Sequence, residues 1–527
     1  MSSKISNGLN ALDFPTPRTT NAHDFYLQRF GEILPGFLTW STFFIAILAA
    51  IYYPVHLAVF MIVFDVFWLI KAIFISIHLV DGYTKLKENL KIDWFSRVKK
   101  IKNWEKIYHV VIFPVYKEGL EIIRPSIQSI VDSNYPKDKL IVVLTFEERS
   151  GHKLVKKRIE AMQKEFSDKF FIFLVTVHPD GISGEAKVKG ANLTWAAKKI
   201  KKIIDEKKLK YENVVVSTLD CDSRAHSQYL AALSYTYLNN PNPTRSSYQP
   251  LPMFFNNIWD TTSISRVIIT GSAFWNMIQA TRPERIVTYT SHSMSFKAVI
   301  DVNYWPVNMI SDDSIIFWKC FIVFEGKYDI KPIFLPIYMD AVQAKTAWLT
   351  LVNQYKQYRR WAYGAENTAI ILRGFLKYDK VPLKEKIIRM WSEIYGRHSW
   401  ATSSVMVATF GWLPFIFGGD VFKSSVLASN LPGTLRTLMF ITMFGLFISA
   451  FLSVLVVPPN PKFKGKKGYL RLMLEWILLP IVAIPMGTLP AIDAQTRLMF
   501  GKYMQFWVTP KMRKESASNE AIILENK

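Results

Sequence analysis

The long stretches without charge lie towards the two ends of this sequence, separated by about 320 residues of ordinary globular composition. No residue from Phe37 to Tyr53 is charged, and after Pro54 a second apolar stretch runs to about Leu79. Each is long enough to cross a bilayer as a helix, so together they predict a membrane hairpin over 37–80. Later uncharged runs cover Trp400–Phe417, Thr437–Val457 and, shorter, Trp476–Leu489. A chain that is 50% hydrophobic and yet carries a net charge of +23 must segregate the two properties. The apolar content excludes disorder and fibrous structure. Two cysteines, Cys221 and Cys320, are too few for a disulfide framework and suit a reducing compartment.

Basic residues beside the spans predict the orientation, because Lys and Arg are retained in the cytosol. Lys85, Lys87, Lys91, Arg97, Lys99, Lys100 and Lys102 follow the second span, and Lys462, Lys464, Lys466, Lys467 and Arg471 follow the fourth. The domain between them is therefore expected in the cytosol, and the charge itself is explained by anionic lipid rather than by nucleic acid. Five spans would export the C-terminus, whereas Arg497, Lys502, Lys511, Arg513 and Lys514 argue for its retention. Pro480, Pro485, Gly487 and Pro490 then predict a short hairpin or re-entrant element within 472–499. The expected order is a cytosolic tail without a signal-peptide pattern (1–36), the hairpin (37–80), a central domain (81–381), an interface helix (382–398), a membrane region (399–499) and a cytosolic segment (500–527). The interface helix alternates Ile387, Ile388 and Trp391 with Lys384, Lys386 and Arg389, as at a membrane surface. Asp65 and Lys71 fall inside the second span, where pairing with another span or snorkelling is expected.

In the central domain, β-branched apolar runs at 108–115, 140–144, 170–177 and 214–218 alternate with helix-like stretches such as 120–133 and 191–204. Such alternation predicts a mostly parallel sheet covered on both faces. Ligands of these sheets bind beyond the carboxyl ends of the strands. Tyr116 and Glu118, Glu147 and Glu148, Asp180, and Asp220 and Asp222 all fall at such ends.

Asp220 and Asp222, one residue apart after a strand, suit one hard divalent cation, Mg2+ or Mn2+. Asp312 and Asp313 form a second acidic pair; their mutual repulsion favours a general base, while Ser311 and both Asp also suit a helix start. Gln357, Arg360 and Trp361 share one broad helix face, where a guanidinium suits phosphate and an indole suits a sugar ring. Near the end, Phe506-Trp-Val-Thr509-Pro-Lys511 again combines aromatic, hydroxyl and cation.

These signals, in this order over residues 105–511, resemble the membrane-integrated family-2 glycosyltransferases that include cellulose, chitin and hyaluronan synthases. PVYKE (114–118) is similar to the family's Pro-x-Tyr-Asn-Glu, KVKGAN (187–192) to Lys-x-Gly-x-x-Asn, and DCD (220–222) to its metal motif. SDD (311–313) is similar to Thr-Glu-Asp, QYRRW (357–361) to Gln-x-x-Arg-Trp, and FWVTPK (506–511) to the gating loop of bacterial cellulose synthases. The resemblance implies a GT-A fold and an inverting transfer from a nucleotide-diphosphate sugar, most often a uridine-diphosphate sugar. It implies that Tyr116, Glu118, Glu147 and Lys187 bind the nucleoside, with Lys187 close to the base. Asp220 and Asp222 would bind the diphosphate, Asp222 through the metal. Asp313 would be the base, with Asp312 beside it where relatives carry Glu. Gln357, Arg360 and Trp361 would hold diphosphate and acceptor, and Thr509 and Lys511 would close over the donor. Lys117 stands where relatives have Asn, and the spacing leaves the roles of Lys187 and Lys189 exchangeable.

The partners implied are a nucleotide sugar, a glycan or lipid-linked acceptor and the bilayer of a cell membrane. Repeated transfer coupled to translocation and transfer of one sugar to a lipid-linked acceptor are the two enzymatic alternatives. A transporter is the alternative from another class, although transport needs no such cytosolic insertion.

Overall fold

The computed structural model describes residues 14–17, 21–460 and 466–509. The α/β domain expected from the sequence is present, as an eight-stranded mixed sheet in the order β3-β2-β1-β4-β7-β6-β8-β5. Its strands are β1 (Tyr108–Val115), β2 (Leu140–Glu147), β3 (Ile172–His178), β4 (Val214–Thr218), β5 (Arg224–Ala225), β6 (Ser246–Met253), β7 (Ser293–Ser295) and β8 (Asp329–Tyr338). β3, β2, β1 and β4 are mutually parallel; β7 runs antiparallel between β4 and β6.

The side-chain period of two splits the central strands between two cores. Val111, Phe113, Val142, Leu144 and Val215 enter one, and Val110, Ile112, Ile141, Val143, Val214 and Val216 the other. Burial on both faces explains why these strands read as continuous apolar runs rather than alternating ones.

Among the described residues, five helical runs are long and apolar enough to cross a membrane: 22–52, 54–90, 383–417, 426–456 and 467–499. The first two are helices α1 (Ala22–Tyr52) and α2 (Pro54–Leu90), separated at Tyr53. Within the α/β domain the site uses α3 (Lys189–Glu206), α4 (Ser263–Ala280), α5 (Asp312–Val323) and α6 (Ala347–Ala362). α7 (Leu383–Thr409) begins in the segment 382–398 that the sequence reading set apart. There Arg389 donates to the carbonyl of Glu284 and lies over the Phe321 ring, while Leu383, Ile387 and Trp391 stay exposed. Arg389, with Lys386 donating to the carbonyl of Phe375, thus faces protein, while Lys384 and the apolar stripe stay exposed. Lys71 is not isolated in its span: its ammonium donates to Tyr395 and lies over the Trp68 ring.

No chain reversal occurs in 472–499. Lys466 to Met499 is one continuous helical run, interrupted only by a 3₁₀ turn at 476–478 and a π turn at 483–488. Pro480 and Pro490 occupy opening positions of its successive pieces, where the missing N–H costs little. The run still touches the α/β domain at both ends. Glu475 pairs with Arg266 of α4 and Trp476 stacks on Phe274, while at the other end Asp493 pairs with Arg359 of α6. The final piece is α8 (Leu489–Met499), whose terminal carbonyls at Leu498 and Met499 accept from Arg29 of α1.

Candidate active site

Lys189 stands at the start of α3, and its ammonium is the centre of an acidic cluster. Nζ lies 2.7 and 2.8 Å from the two carboxylate oxygens of Asp313, 3.2 Å from Asp220 Oδ1 and 3.7 Å from Asp312 Oδ2. Burial alone would lower its pKa, but the three carboxylates outweigh it and raise the value well above the ordinary one. Gly190 makes the approach possible: a Cβ there would sit 2.3 Å from the carbonyl oxygen of Pro306 and 3.2 Å from Asp312 Cβ. Asn192, two residues on, bonds Thr145 of β2 through both ends of its amide and ties α3 to the sheet.

The four acidic residues come from two directions. Asp220 and Asp222 follow β4; Asp220 Oδ2 accepts from Thr290, and the buried Asp222 accepts from the backbone N–H of Asp340 beyond β8. Asp312 and Asp313 lie in the first turn of α5, where the helix dipole favours negative charge. Ser311 occupies the N-cap position without capping; its hydroxyl lies 2.7 Å from Glu366 Oε1, and Glu366 also accepts the backbone N–H groups of Ile310 and Ser311. Burial pushes Asp312 up to about 8 and Glu366 up to about 7. His292 is fully buried, with its pKa lowered chiefly by desolvation, and its Nδ1 stands 3.9 Å from Asp313.

Desolvation lowers the pKa of Arg360 of α6, and the charges of Asp220, Asp313 and Asp312 oppose that shift. The guanidinium lies 5.2 Å from the centre of the Phe506 ring, and Lys356 lies over Trp507. The terminal segment therefore follows α6 past the acidic site, and Thr509 is buried. Lys511 lies outside the described residues. Gln357 is buried, and Trp361 packs against Phe254 and Tyr358.

At the ends of β1 and β2, Tyr116 lies beneath the guanidinium of Arg149, which bonds Glu147; Glu118 accepts from the backbone N–H of Tyr116. Lys187 is elsewhere: its exposed ammonium pairs with Asp180, 3.0 Å away, beyond β3. Of the two exchangeable lysines, the structure brings Lys189 to the acidic centre and leaves Lys187 at the rim. Arg149, His292 and Glu366 were not foreseen from the sequence; no local motif marks them, because each meets its partners through a different element.

Among the described residues no group of three or more His, Cys, Asp or Glu converges as a metal centre. Two carboxylates at a strand end nevertheless fit a hard ion of the Mg2+ or Mn2+ type, which keeps its remaining positions for water and phosphate.

No protein-family model and no curated protein matches the sequence. Among solved structures, the chain is similar to mannosyltransferase PcManGT from Pyrobaculum calidifontis, in complex with GDP-Man and Mn2+, with 14% identity over 81% of this chain and 100% of that one, at a TM-score of 0.41. It is also similar to S. aureus TarS 1–349 in complex with UDP-GlcNAc, with 11% identity over 76% and 93% and a TM-score of 0.36. A third neighbour, GalNAc-T7 with UDP, GalNAc and Mn2+, has 10% identity over 55% and 58% and a TM-score of 0.33. Likeness at this level carries no functional argument, so the function must be argued from the chain's own residues.

Proposed function

We propose that this chain is a membrane-embedded glycosyltransferase of the GT-A type, acting with inversion on a nucleotide-diphosphate sugar. The observation that carries the reading is the convergence of Asp220, Asp312 and Asp313 on Lys189, beyond the carboxyl end of β4. The nucleoside, expected to be uridine, lies over the β1 and β2 ends against Tyr116, Glu118 and Glu147, with Arg149 as an added neighbour. Its diphosphate reaches the acidic centre, where Arg360 and Lys189 supply positive charge. Asp222 and Asp220 would hold a divalent ion, which would supply neutralisation of the leaving diphosphate.

Asp313 takes the proton of the acceptor hydroxyl as that oxygen bonds to the anomeric carbon. The bond from that carbon to the diphosphate oxygen breaks, and its electron pair leaves with the nucleoside diphosphate. Both Asp313 oxygens bond Lys189 in this arrangement, so base action requires the ammonium to turn towards the diphosphate. Gln357 and Trp361 would hold the acceptor, and the segment with Thr509 and Lys511 would close over the donor.

Four spans cross the membrane in this reading, and the run 466–499, bound to the α/β domain at both ends, lies along the membrane surface. That even count keeps the C-terminus with the catalytic domain, on the cytosolic side indicated by the basic loops.

The test is a screen of uridine-, guanosine- and thymidine-diphosphate sugars with the full-length protein in detergent, read as nucleoside-diphosphate release. Asp313→Asn should lower turnover at least ~10²-fold, the scale of losing a general base. Turnover of no donor would overturn the reading, and near-normal rates in Asp313→Asn would remove that residue from its role. Product length under excess donor separates repeated from single transfer.

A further inference from the structure

Glu32 of α1 is closed off from solvent, with its side chain 2% exposed. Gln28 donates to Oε1 at 2.8 Å, Arg29 pairs with Oε2, and the Tyr503 hydroxyl donates to Oε2 at 2.9 Å. A buried carboxylate is costly unless donors surround it, so Tyr503 is bound at a charge and not at a neutral acceptor. Arg29 also lies 3.3 Å from the Tyr503 hydroxyl and donates to the carbonyls of Leu498 and Met499. Gly501 makes the arrangement possible: with φ at 67° it ends α8 in a left-handed turn, in which the N–H groups of Gly501 and Lys502 return to the carbonyls of Leu498 and Arg497. The chain is thereby delivered to α1. That helix is itself held fast, because a Cβ on Gly31 would lie 2.4 Å from Ala369 Cα, and Arg373 of the same helix (Asn367–Lys377) donates to Gln28 and Asp24. One residue beyond Tyr503, the N–H of Met504 donates to the Tyr363 hydroxyl at 3.3 Å, and two residues later Phe506 meets Arg360. Three residues of chain, about 10 Å when extended, therefore separate the Glu32 contact from the guanidinium of the candidate site.

We infer that Glu32 is a positioning residue: through Tyr503 it fixes the root of the terminal segment, so that the N-terminal helix sets how this segment meets Arg360 and the donor. The inference rests on the glycosyltransferase reading, in which the segment with Thr509 and Lys511 closes over the donor. Arg29 and Glu32 precede the uncharged stretch that begins at Phe37, and the contact lies on the side of the α/β domain, against the helix 367–377. A segment tethered at its root has fewer conformations to lose on closing, and donor affinity gains accordingly. Bond making is left to Asp313 and its neighbours. Loosening the root should therefore appear in the donor KM and not in kcat.

The experiment uses the full-length protein in detergent, with Tyr503→Phe, Glu32→Met and the two combined. Tyr503 is 58% exposed, so removing its hydroxyl disturbs no core packing and guards against a folding failure at the buried Glu32. Each single variant should raise the KM of the donor found by the screen about tenfold, the scale of losing a hydrogen bond to a charged group, with kcat changed less than about twofold. The double variant should be no worse than Glu32→Met alone, because Tyr503 then has no carboxylate to bind. A second readout needs no turnover. A nitroxide on Gln505→Cys, an exposed position in a chain whose two native cysteines are both buried, should gain mobility in each variant. Unchanged nitroxide mobility overturns the inference, and so does an unchanged donor KM while turnover proceeds. Effects that add in full in the double variant would make the two residues independent and overturn it as well. Failure of the glycosyltransferase reading looks different: no donor is turned over at all, while the nitroxide still reports whether Glu32 holds the segment.

Discussion

Lys187 and Lys189 are two residues apart, and the regions they reach differ in kind. Beyond β3 the ammonium of Lys187 meets one carboxylate in solvent, with side-chain exposures of 65% for Lys187 and 41% for Asp180. Beyond β4 the ammonium of Lys189 is enclosed by three carboxylates, and its side chain is only 13% exposed. The same chemical pair is a screened surface contact in one place and an organising charge in the other. Exposure, not residue type, separates the rim of this site from its centre.

The substitution that breaks this contrast most severely is Lys189→Met. It leaves Asp220, Asp312 and Asp313 crowded without their cation, and removing one partner from a buried ion pair costs about 3–5 kcal/mol. The thermal midpoint of the purified protein should fall clearly and donor turnover should be lost. Adding Asp312→Asn to this variant removes one buried carboxylate and should recover part of the midpoint. A double variant no more stable than Lys189→Met would mean that Lys189 is not the counter-charge of that group.

The central strands were legible because burial on both faces leaves continuous β-branched runs, and the strand-end rule then picked out Asp220, Asp222, Tyr116 and Glu147. The difference between Lys187 and Lys189 was not legible. It depends on α3 opening at Lys189 and on Gly190 admitting the helix against Pro306, which no spacing rule contains. Glu366, His292 and Arg149 become neighbours of the site only through tertiary contacts. Prolines in 472–499 predicted a reversal; Pro480 and Pro490 at the starts of helical pieces and Pro485 inside the π turn are absorbed without one.

A smaller effect sharpens the comparison from behind the acidic centre. Glu366 holds the turn before Asp312, and burial raises its pKa from 4.5 to about 7. The folded protein therefore keeps this proton between those values while the unfolded chain loses it. The resulting contribution to stability is fully present below about pH 4.5 and is lost as the pH rises through about 7. Glu366→Gln keeps the accepting oxygen and cannot ionise, so its stability should vary less with pH across this window than that of the unsubstituted protein. Parallel thermal-midpoint curves for the two proteins from pH 5 to 7 would remove Glu366 as the source.

The smallest expected effect lies at the rim, and there the sequence-based assignment of Lys187 to the nucleoside can be decided. Its partner among the described residues, Asp180, has its pKa lowered first by the hydrogen bond from Lys187, with the Lys187 charge adding to it, but the carboxylate sits in solvent. Exposed pairs of this kind are screened by salt and contribute little to stability. Lys187→Ala should therefore leave the thermal midpoint unchanged at physiological salt and alter the donor KM by less than about twofold. If the donor KM instead rises tenfold, with the acceptor KM constant, the ammonium must leave Asp180 for the nucleotide when the donor binds. The contrast between the two lysines would then describe only the protein before the donor binds, and the nucleoside site would extend from Tyr116 and Arg149 across the end of β3.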